Sequence, residues 1–374
     1  MTVARPAAPR RPWRVVVCGT VFGHFYLRAV QMLAPDVELV GVLARGGQRS
    51  LDCARRYGVP CYTRVEQMPD DVDIACVVVR AAVAGGPGGE LARALLARGV
   101  HVLQEQPVHP AELAECLRLA HRHGVQYRLN PFYAHLEPVR RFLAAARTLR
   151  TRRQLLFLDA SCAGQVLYPL VDILGRTLGG LRPWNLGAPE PEGHGPPADG
   201  TDPFRTLRGA VAGVPVNLRV QHDLDPTDPD NHAHRLHQVT LGTDSGLLTL
   251  VSSNGPVLWC PRLHVARRTD GSLALDGPDS ERLDQRGVSA LGPDGADTFR
   301  RIFDELWPQG VAHALRELCQ AILDGADVMA HGQYCLTTTR RWLDLTDRLG
   351  RPRLIAPGAP RPMSAAELLA GENR

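Results

Sequence analysis

The sequence predicts an α/β protein, with an N-terminal doubly wound parallel sheet and a C-terminal α+β domain built on a largely antiparallel sheet. Three observations carry this. In the first third, almost wholly apolar runs alternate with segments of helical period, as in parallel strands covered on both faces. In the second half, strand-like runs follow one another directly and are separated by turn signals, the pattern of an antiparallel sheet. With 374 residues the chain exceeds one ordinary core. Two domains are expected, at 13–131 and 132–350, with tails at 1–12 and 351–374.

The first unit begins with the apolar run 15–17, which stops at Cys18-Gly19-Thr20. From there Phe22, Phe25, Tyr26, Ala29, Val30 and Leu33 follow a helical period, so a strand, a tight turn and a helix packed back on the strand are predicted. Such a unit aims free backbone N–H groups at whatever sits above the sheet, and their partial positive charge suits a phosphate, hence a dinucleotide. Residues 18–23 read C-G-T-V-F-G against the G-x-G-x-x-G fingerprint of a Rossmann domain. Only Gly23, which lets helix and strand approach closely, is the expected residue; Gly19 is expected to make the turn in place of Cys18 and Thr20.

The rest of this domain continues the alternation. A strand is predicted at 37–43, a helix at 50–57, a strand at 74–79 and a glycine-rich turn at 85–89. A helix carrying Leu91, Leu95 and Leu96 follows, then a strand at 100–103 leading into Glu105-Gln106-Pro107. The helix at 111–123 shows Leu113, Cys116, Leu117 and Ala120 on one face and ends at Gly124. A short strand at 125–129 closes the series.

Beyond it, a strand at 153–160 and a helix at 166–179 lead into a Pro/Gly loop at 186–203. Strands are expected over 207–225 and 232–268, broken by turns at Thr243-Asp244-Ser245-Gly246, Asn254-Gly255-Pro256 and Thr269-Asp270-Gly271. Helices at 297–324 and 330–349 complete the domain.

Composition narrows the chemistry. A net charge of +4 without a basic stripe does not point to nucleic acid. No run of about 18 apolar residues marks a membrane span. Nine scattered cysteines without a C-x-x-C pair fit reduced thiols and a cytoplasmic location. The chain contains no lysine; all 43 basic residues are arginine. This excludes a P-loop NTPase, a Schiff-base aldolase, a pyridoxal-phosphate enzyme and a Tyr-Lys reductase dyad, because arginine cannot replace the ammonium or amine they need.

The second strand bears on the cofactor. An NAD site usually carries Asp or Glu about 20 residues past the glycines. Here the strand runs out at Leu43-Ala44-Arg45-Gly46-Gly47-Gln48-Arg49-Ser50. Two guanidiniums and a hydroxyl at a helix start match a 2′-phosphate, so NADP(H) is expected, with Gly19, Thr20, Val21, Phe22 and Gly23 at the pyrophosphate turn. Glu105 and Gln106 lie at the carboxyl end of a strand, where doubly wound sheets place ligands, and Arg80 ends another. Tyr133, in Asn130-Pro131-Phe132-Tyr133-Ala134-His135 at the domain junction, is the candidate general acid; its phenol could equally be a packed aromatic. His109 and His135 are alternates. Asp223, Asp225, Asp228, Asp230, His232, His234 and His237 crowd one segment. On a strand His237 would face away from His232 and His234, so no metal site is expected.

The order of these parts, CGTVFG, a strand into EQP and an α+β second half, resembles the glucose-fructose oxidoreductase and inositol dehydrogenase family. That family commonly has Glu-Lys-Pro where this chain has Glu105-Gln106-Pro107. Within it, VVVCGTVFGHFYL, LARGGQRS, IACVVVRAAVAGGPG, GVHVLQEQPVHP and NPFYAHL are similar to the thiazolinyl imine reductases of yersiniabactin and pyochelin biosynthesis, as are DPTDPDNHAHRLH and NGPVLW in the second half. The resemblance implies NADPH-dependent reduction of a thiazoline C=N to a thiazolidine on a siderophore precursor held by a peptidyl carrier domain of a nonribosomal peptide synthetase. It also implies a homodimer. Tyr133 stands at the tyrosine regarded as a proton donor in that family, and Gln106 stands where a histidine is the other suggested donor. An amide does not titrate near pH 7, which leaves Tyr133 as the donor and Gln106 to orient nicotinamide or substrate. A sugar or cyclitol dehydrogenase is the first alternative, weakened by the missing lysine. A non-catalytic NADP-binding sensor or scaffold is the second.

Overall fold

The structure is a computed structural model describing residues 11–190, 202–228, 230–295, 297–358 and 360–370. Much of the expected loop at 186–203 and the outer parts of both tails lie outside the described residues. Strands β1 (Trp13–Cys18), β2 (Val37–Leu43), β3 (Cys61–Tyr62), β4 (Ile74–Val77), β5 (His101–Glu105) and β6 (Tyr127–Asn130) form a parallel sheet in the order β3-β2-β1-β4-β5-β6. Four helices connect them: α1 (Gly23–Met32), α2 (Gln48–Tyr57), α3 (Gly88–Ala97) and α4 (Pro110–His123). β1 and β4 are buried along both faces, which is why their sequences are continuous apolar runs. Strand order reverses between β1 and β4, and the carboxyl ends at that point open the crevice where such sheets take ligands.

The second domain begins with α5 (Glu137–Arg152) and β7 (Leu155–Ala163), then α6 (Leu167–Leu178). Its remaining strands are β8 (Trp184–Leu186), β9 (Phe204–Val211), β10 (Val214–Gln221), β11 (Asp223–Leu224), β12 (His237–Thr243), β13 (Gly246–Leu250), β14 (Val257–Pro261), β15 (Ser289–Ala290) and β16 (Arg353–Leu354). Eight of them make one sheet, β15-β14-β13-β12-β7-β10-β9-β8, antiparallel except for the β7–β10 pair. β11 and β16 pair separately. Leu158, Ala160, Leu218, Val220, Val239 and Leu241 face inward under α5 and α6. Phe157, Asp159, Arg219 and Leu247 alternate with them on an open outer face. The chain ends in α7 (Phe299–Arg301), α8 (Trp307–Leu323), α9 (Val328–Leu349) and the short α10 (Ala365–Leu369).

Four features depart from the sequence-based expectation. Helix α5 was not expected, although Val139, Phe142 and Ala146 recur at helical spacing and are buried. Strand β3, two residues long, is too short to leave a periodic signal. The expected helix at 297–324 widens into a π-turn at Ile302–Leu306, just before Pro308, which has no N–H to continue an ordinary ladder. The expected strand from 232 starts only at His237. Before it the chain is held as a self-bonded loop: Asp225 accepts from Thr227 and Asp228, and the Asn231 amide donates to Asp228.

Candidate active site

The turn after β1 is built around Gly19. Its φ is +96°, and a Cβ there would stand 2.6 Å from the Val78 carbonyl oxygen. Only glycine holds that turn against the neighbouring strand end. Beneath the turn a Cβ on Gly23 would meet Val17 at 3.4 Å, an ordinary van der Waals contact, so the close approach of helix and strand does not depend on this glycine as the fingerprint led one to expect. α1 begins at Gly23 without a side-chain cap; the His24 and Phe25 N–H groups bond the Val21 and Phe22 carbonyls, at 3.4 and 3.1 Å, and the Gly23 N–H is left without a partner among the described residues. The turn itself faces a cleft of about 1130 Å³.

Gly19, Thr20, Val21 and Phe22 line this cleft, as do Arg45, Arg49, Ser50 and Arg80. Eight of the residues singled out from the sequence therefore converge on one space. Gly23, Glu105, Gln106 and Tyr133 do not line it. At the far end from the turn the lining adds Thr63 and Arg64, carried there by β3, and these the sequence reasoning missed. Their signal would have been recognition of a two-residue strand. Ser50 spends its hydroxyl proton on the Gly47 carbonyl, 2.7 Å away, so its free valence is as an acceptor.

The carboxyl end of β5 carries a buried polar network. Tyr26 donates to the Glu105 carboxyl and accepts from the Asn130 amide at 2.5 Å. Burial pushes the Glu105 carboxyl up to about 8, against the hydrogen bonds from Tyr26 and the Gln106 backbone, which pull it down. The Gln106 backbone N–H also donates to the Asn130 carbonyl at 3.3 Å, tying the EQP turn to the end of β6. Phe132 follows with φ +56°, a conformation a bulky residue holds only under outside constraint. Asn130 supplies part of that constraint by accepting the Phe132 N–H at 2.9 Å, and edge contacts with Phe22 and Trp307 supply the rest.

That strained residue sets Tyr133. The phenol is 7% exposed, stands edge-on to His237 and Trp307, and its hydroxyl has no hydrogen-bond partner among the described residues. Burial raises its pKa well above the ordinary tyrosine value, with Glu105 and then Asp230 adding to the rise. Asp230, on the self-bonded loop of the second domain, also lines the cleft. It joins the phenol and the cleft in one electrostatic neighbourhood.

The histidines are engaged elsewhere. His109 caps α4, accepting the Ala111 N–H at 3.2 Å. His232 bonds the Asp223 and Asp228 carbonyls, and His237 is buried between Ser253 and the Val166 carbonyl, its pKa lowered by burial to about 4. The placement of these histidines on a strand face is therefore corrected: His232 and His234 lie in a loop. His135 lies near Glu317, which in turn approaches His313 at 3.3 Å. Arg140 donates to His313 Nδ1 at 2.8 Å, and its charge opposes a cation at that trio.

Residues 13–130 match the model of a family described as oxidoreductase family, NAD-binding Rossmann fold. Residues 148–260 match the model described as thiazolinyl imine reductase Irp3-like, C-terminal. No curated protein matches the chain. Among solved structures, a 3-ketoreductase from Actinomadura kijaniata in complex with TDP-benzene and NADP, in an open conformation, is 17% identical with a TM-score of 0.62. The match covers 92% of this chain and 100% of that one. A dehydrogenase from Chromobacterium violaceum is 16% identical with a TM-score of 0.62, over 90% and 94% of the two chains. GenD2 from gentamicin A biosynthesis, in complex with NAD, is 16% identical with a TM-score of 0.61, over 92% and 95%. At these identities the likeness is one of fold.

Proposed function

Because this chain belongs to the oxidoreductase family with an NAD-binding Rossmann fold and carries a thiazolinyl imine reductase C-terminal domain, we propose that it reduces a thiazoline C=N to a thiazolidine with NADPH. The substrate is a siderophore-type intermediate presented by a peptidyl carrier domain, and the protein works as a cytoplasmic homodimer. The observation that carries the reading is an unpartnered phenol at the domain seam within electrostatic reach of Asp230, a residue that lines the cofactor cleft.

The residues fit the cofactor. The Gly19 turn leaves space that a Cβ would deny, the turn and the first residue of α1 keep the Gly23 N–H available to a pyrophosphate, and Arg45 and Arg49 offer fork donors to a 2′-phosphate. Bound there, a reduced nicotinamide supplies a hydride to the imine carbon. The chain's part is to manage the charge this pushes onto nitrogen. Tyr133 keeps its proton on Oη through the neutral range, because burial above all disfavours the phenolate and the Asp230 carboxylate adds to it. It gives that proton only to a site growing strongly basic, as the imine nitrogen does during transfer. Gln106, half-buried and without a side-chain hydrogen bond among the described residues, is free to orient the ring or the substrate.

The test is reduction of a carrier-bound or thioester-model thiazoline, followed by loss of NADPH absorbance and by product mass. Tyr133→Phe is expected to lower kcat about a hundredfold while NADPH affinity stays unchanged. Wild-type turnover should also lack a basic limb from the phenol at or below about pH 10, the ordinary tyrosine value. An unchanged kcat in the variant removes Tyr133 as donor. Failure to consume NADPH with any thiazoline removes the function.

A further inference from the structure

One backbone group sets the polarity of the hydrogen bonds at the end of β5. The Phe132 N–H can only donate, and it donates to Asn130 Oδ1 at 2.9 Å. The Asn130 atom facing Tyr26 is therefore Nδ2, which can only donate, so Tyr26 Oη accepts there at 2.5 Å. Tyr26 has a single proton, and it goes to Glu105 Oε2. Asn130 Nδ2 approaches the same oxygen at 3.5 Å. Oε2 is thus committed as an acceptor.

One place is left for a proton on the carboxyl. With burial pushing Glu105 up to about 8, the group is neutral at pH 7 and its proton sits on Oε1. Oε1 has no side-chain hydrogen bond among the described residues, and it is not one of the sealed polar atoms of the fold, so this O–H looks onto open space. It stands at the carboxyl end of β5, the edge at which such sheets take ligands. No arginine, histidine or second carboxylate among the described residues acts on it. The titratable groups around it are the Tyr26 phenol on α1, the Cys76 thiol on β4 and the Tyr133 phenol after β6, all kept protonated by burial. Asn130 ties Tyr133 to the same anchor, because the bond that fixes Phe132 at φ +56° also sets the next residue. The Tyr133 phenol is the weaker acid of the two, so a proton passes downhill from Glu105 to a Tyr133 phenolate.

We propose that Glu105 is the proton store behind Tyr133: once the phenol has protonated the substrate nitrogen, the Glu105 Oε1–H bond breaks and its proton restores the Tyr133 Oη–H. The carboxylate left behind regains a proton from solvent before the next turnover. The proposal rests on the imine-reduction reading, in which Tyr133 is the donor. Atoms and electrons balance: the hydride brings both electrons to the imine carbon, the phenol's proton reaches nitrogen, and Glu105 moves one proton only. While it is charged, the carboxylate is held by the Tyr26 hydroxyl and the Asn130 amide, which already point at it.

The experiment follows kcat against pH, at saturating NADPH and a model thiazoline, in the full-length wild type, Glu105→Gln and Tyr26→Phe. Wild-type kcat should fall as pH rises through about 8, where Glu105 loses its proton. Glu105→Gln should lower steady-state kcat about tenfold at pH 7 and abolish that limb, with NADPH affinity unchanged. Its first turnover should stay within about twofold of wild type, because Tyr133 begins that turnover with its proton. Tyr26→Phe, which removes a donor to the carboxylate, should move the limb to higher pH. Infrared difference spectra of wild type against Glu105→Gln at pH 7 should show the carbonyl band of one neutral carboxylic acid, lost above pH 9. A limb that persists in Glu105→Gln, or an unchanged steady-state kcat, overturns the proposal. A first turnover slowed as much as the steady state makes Glu105 a shaping residue and overturns it too. Absence of the neutral-acid band in wild type overturns it without recourse to turnover. If no thiazoline is reduced while the band is present, the imine reading fails and takes the relay with it.

Discussion

Burial lifts the Glu105 carboxyl to about 8, so at neutral pH it keeps its proton inside the Tyr26–Asn130 network. In the unfolded chain the same group ionises near its ordinary value of about 4.3. The folded pKa is the higher one, so the stability tied to this group is fully present below about pH 4.3 and is lost as pH rises toward 8. Glu105→Gln should flatten that part of the curve: the melting temperature of the variant should fall less than that of the wild type between pH 5 and 8. Parallel curves would show that the carboxyl is ionised in the fold. At this scale the sequence disclosed residue types but not their surroundings. Glu105 and Tyr133 stood out, whereas Tyr26, whose hydroxyl makes the network, read only as one more apolar position on α1.

The turn between β1 and α1 shows what an element demands of one residue. Gly19→Ala adds a Cβ against the Val78 carbonyl at a φ that L-residues avoid. The variant should lose about 1–3 kcal/mol in denaturant unfolding and bind NADPH weakly or not at all. Full stability would mean that the turn adopts another path. Elements with strong period are legible in the amino-acid sequence alone: β1, β2, β4, α1 and α4 follow from apolar runs and helical spacing. β3 is not, because two residues carry no period, and with it Arg64 stayed hidden. The loop before β12 misled for a related reason. Its histidines read as a strand face, but side-chain hydrogen bonds to nearby backbone offered the chain a different conformation.

The two domains meet through an aromatic cluster around Trp307. Its ring lies 5.1 Å from Phe25 and from Phe132 and 4.8 Å from Phe303, and its Nε1–H donates to Asn254 at 3.2 Å. Arg28 on α1 pairs with Asp304 beside it. Trp307→Ala should cost about 3 kcal/mol and separate the unfolding of the domains, with near-ultraviolet and far-ultraviolet signals no longer coinciding. A single unchanged transition would place the domain coupling elsewhere. On the far side, Phe157 and Leu247, each 38% exposed, stand on the open face of the eight-stranded sheet. A homodimer through this face predicts a two-chain mass by light scattering and a one-chain mass for Phe157→Asp; a wild-type monomer at micromolar concentration would remove it. By itself the sequence determined the parallel sheet and the largely antiparallel one, the glycine turn after β1 and the absence of lysine, because periodicity, glycine and residue type are local properties. Only the tertiary structure brought Asp230 and Arg64 to the cleft lined by Arg45 and set Tyr133 against Trp307 at the domain seam. Those meetings depend on strand order, register and the docking of two domains, which join residues far apart in the chain and leave no local trace.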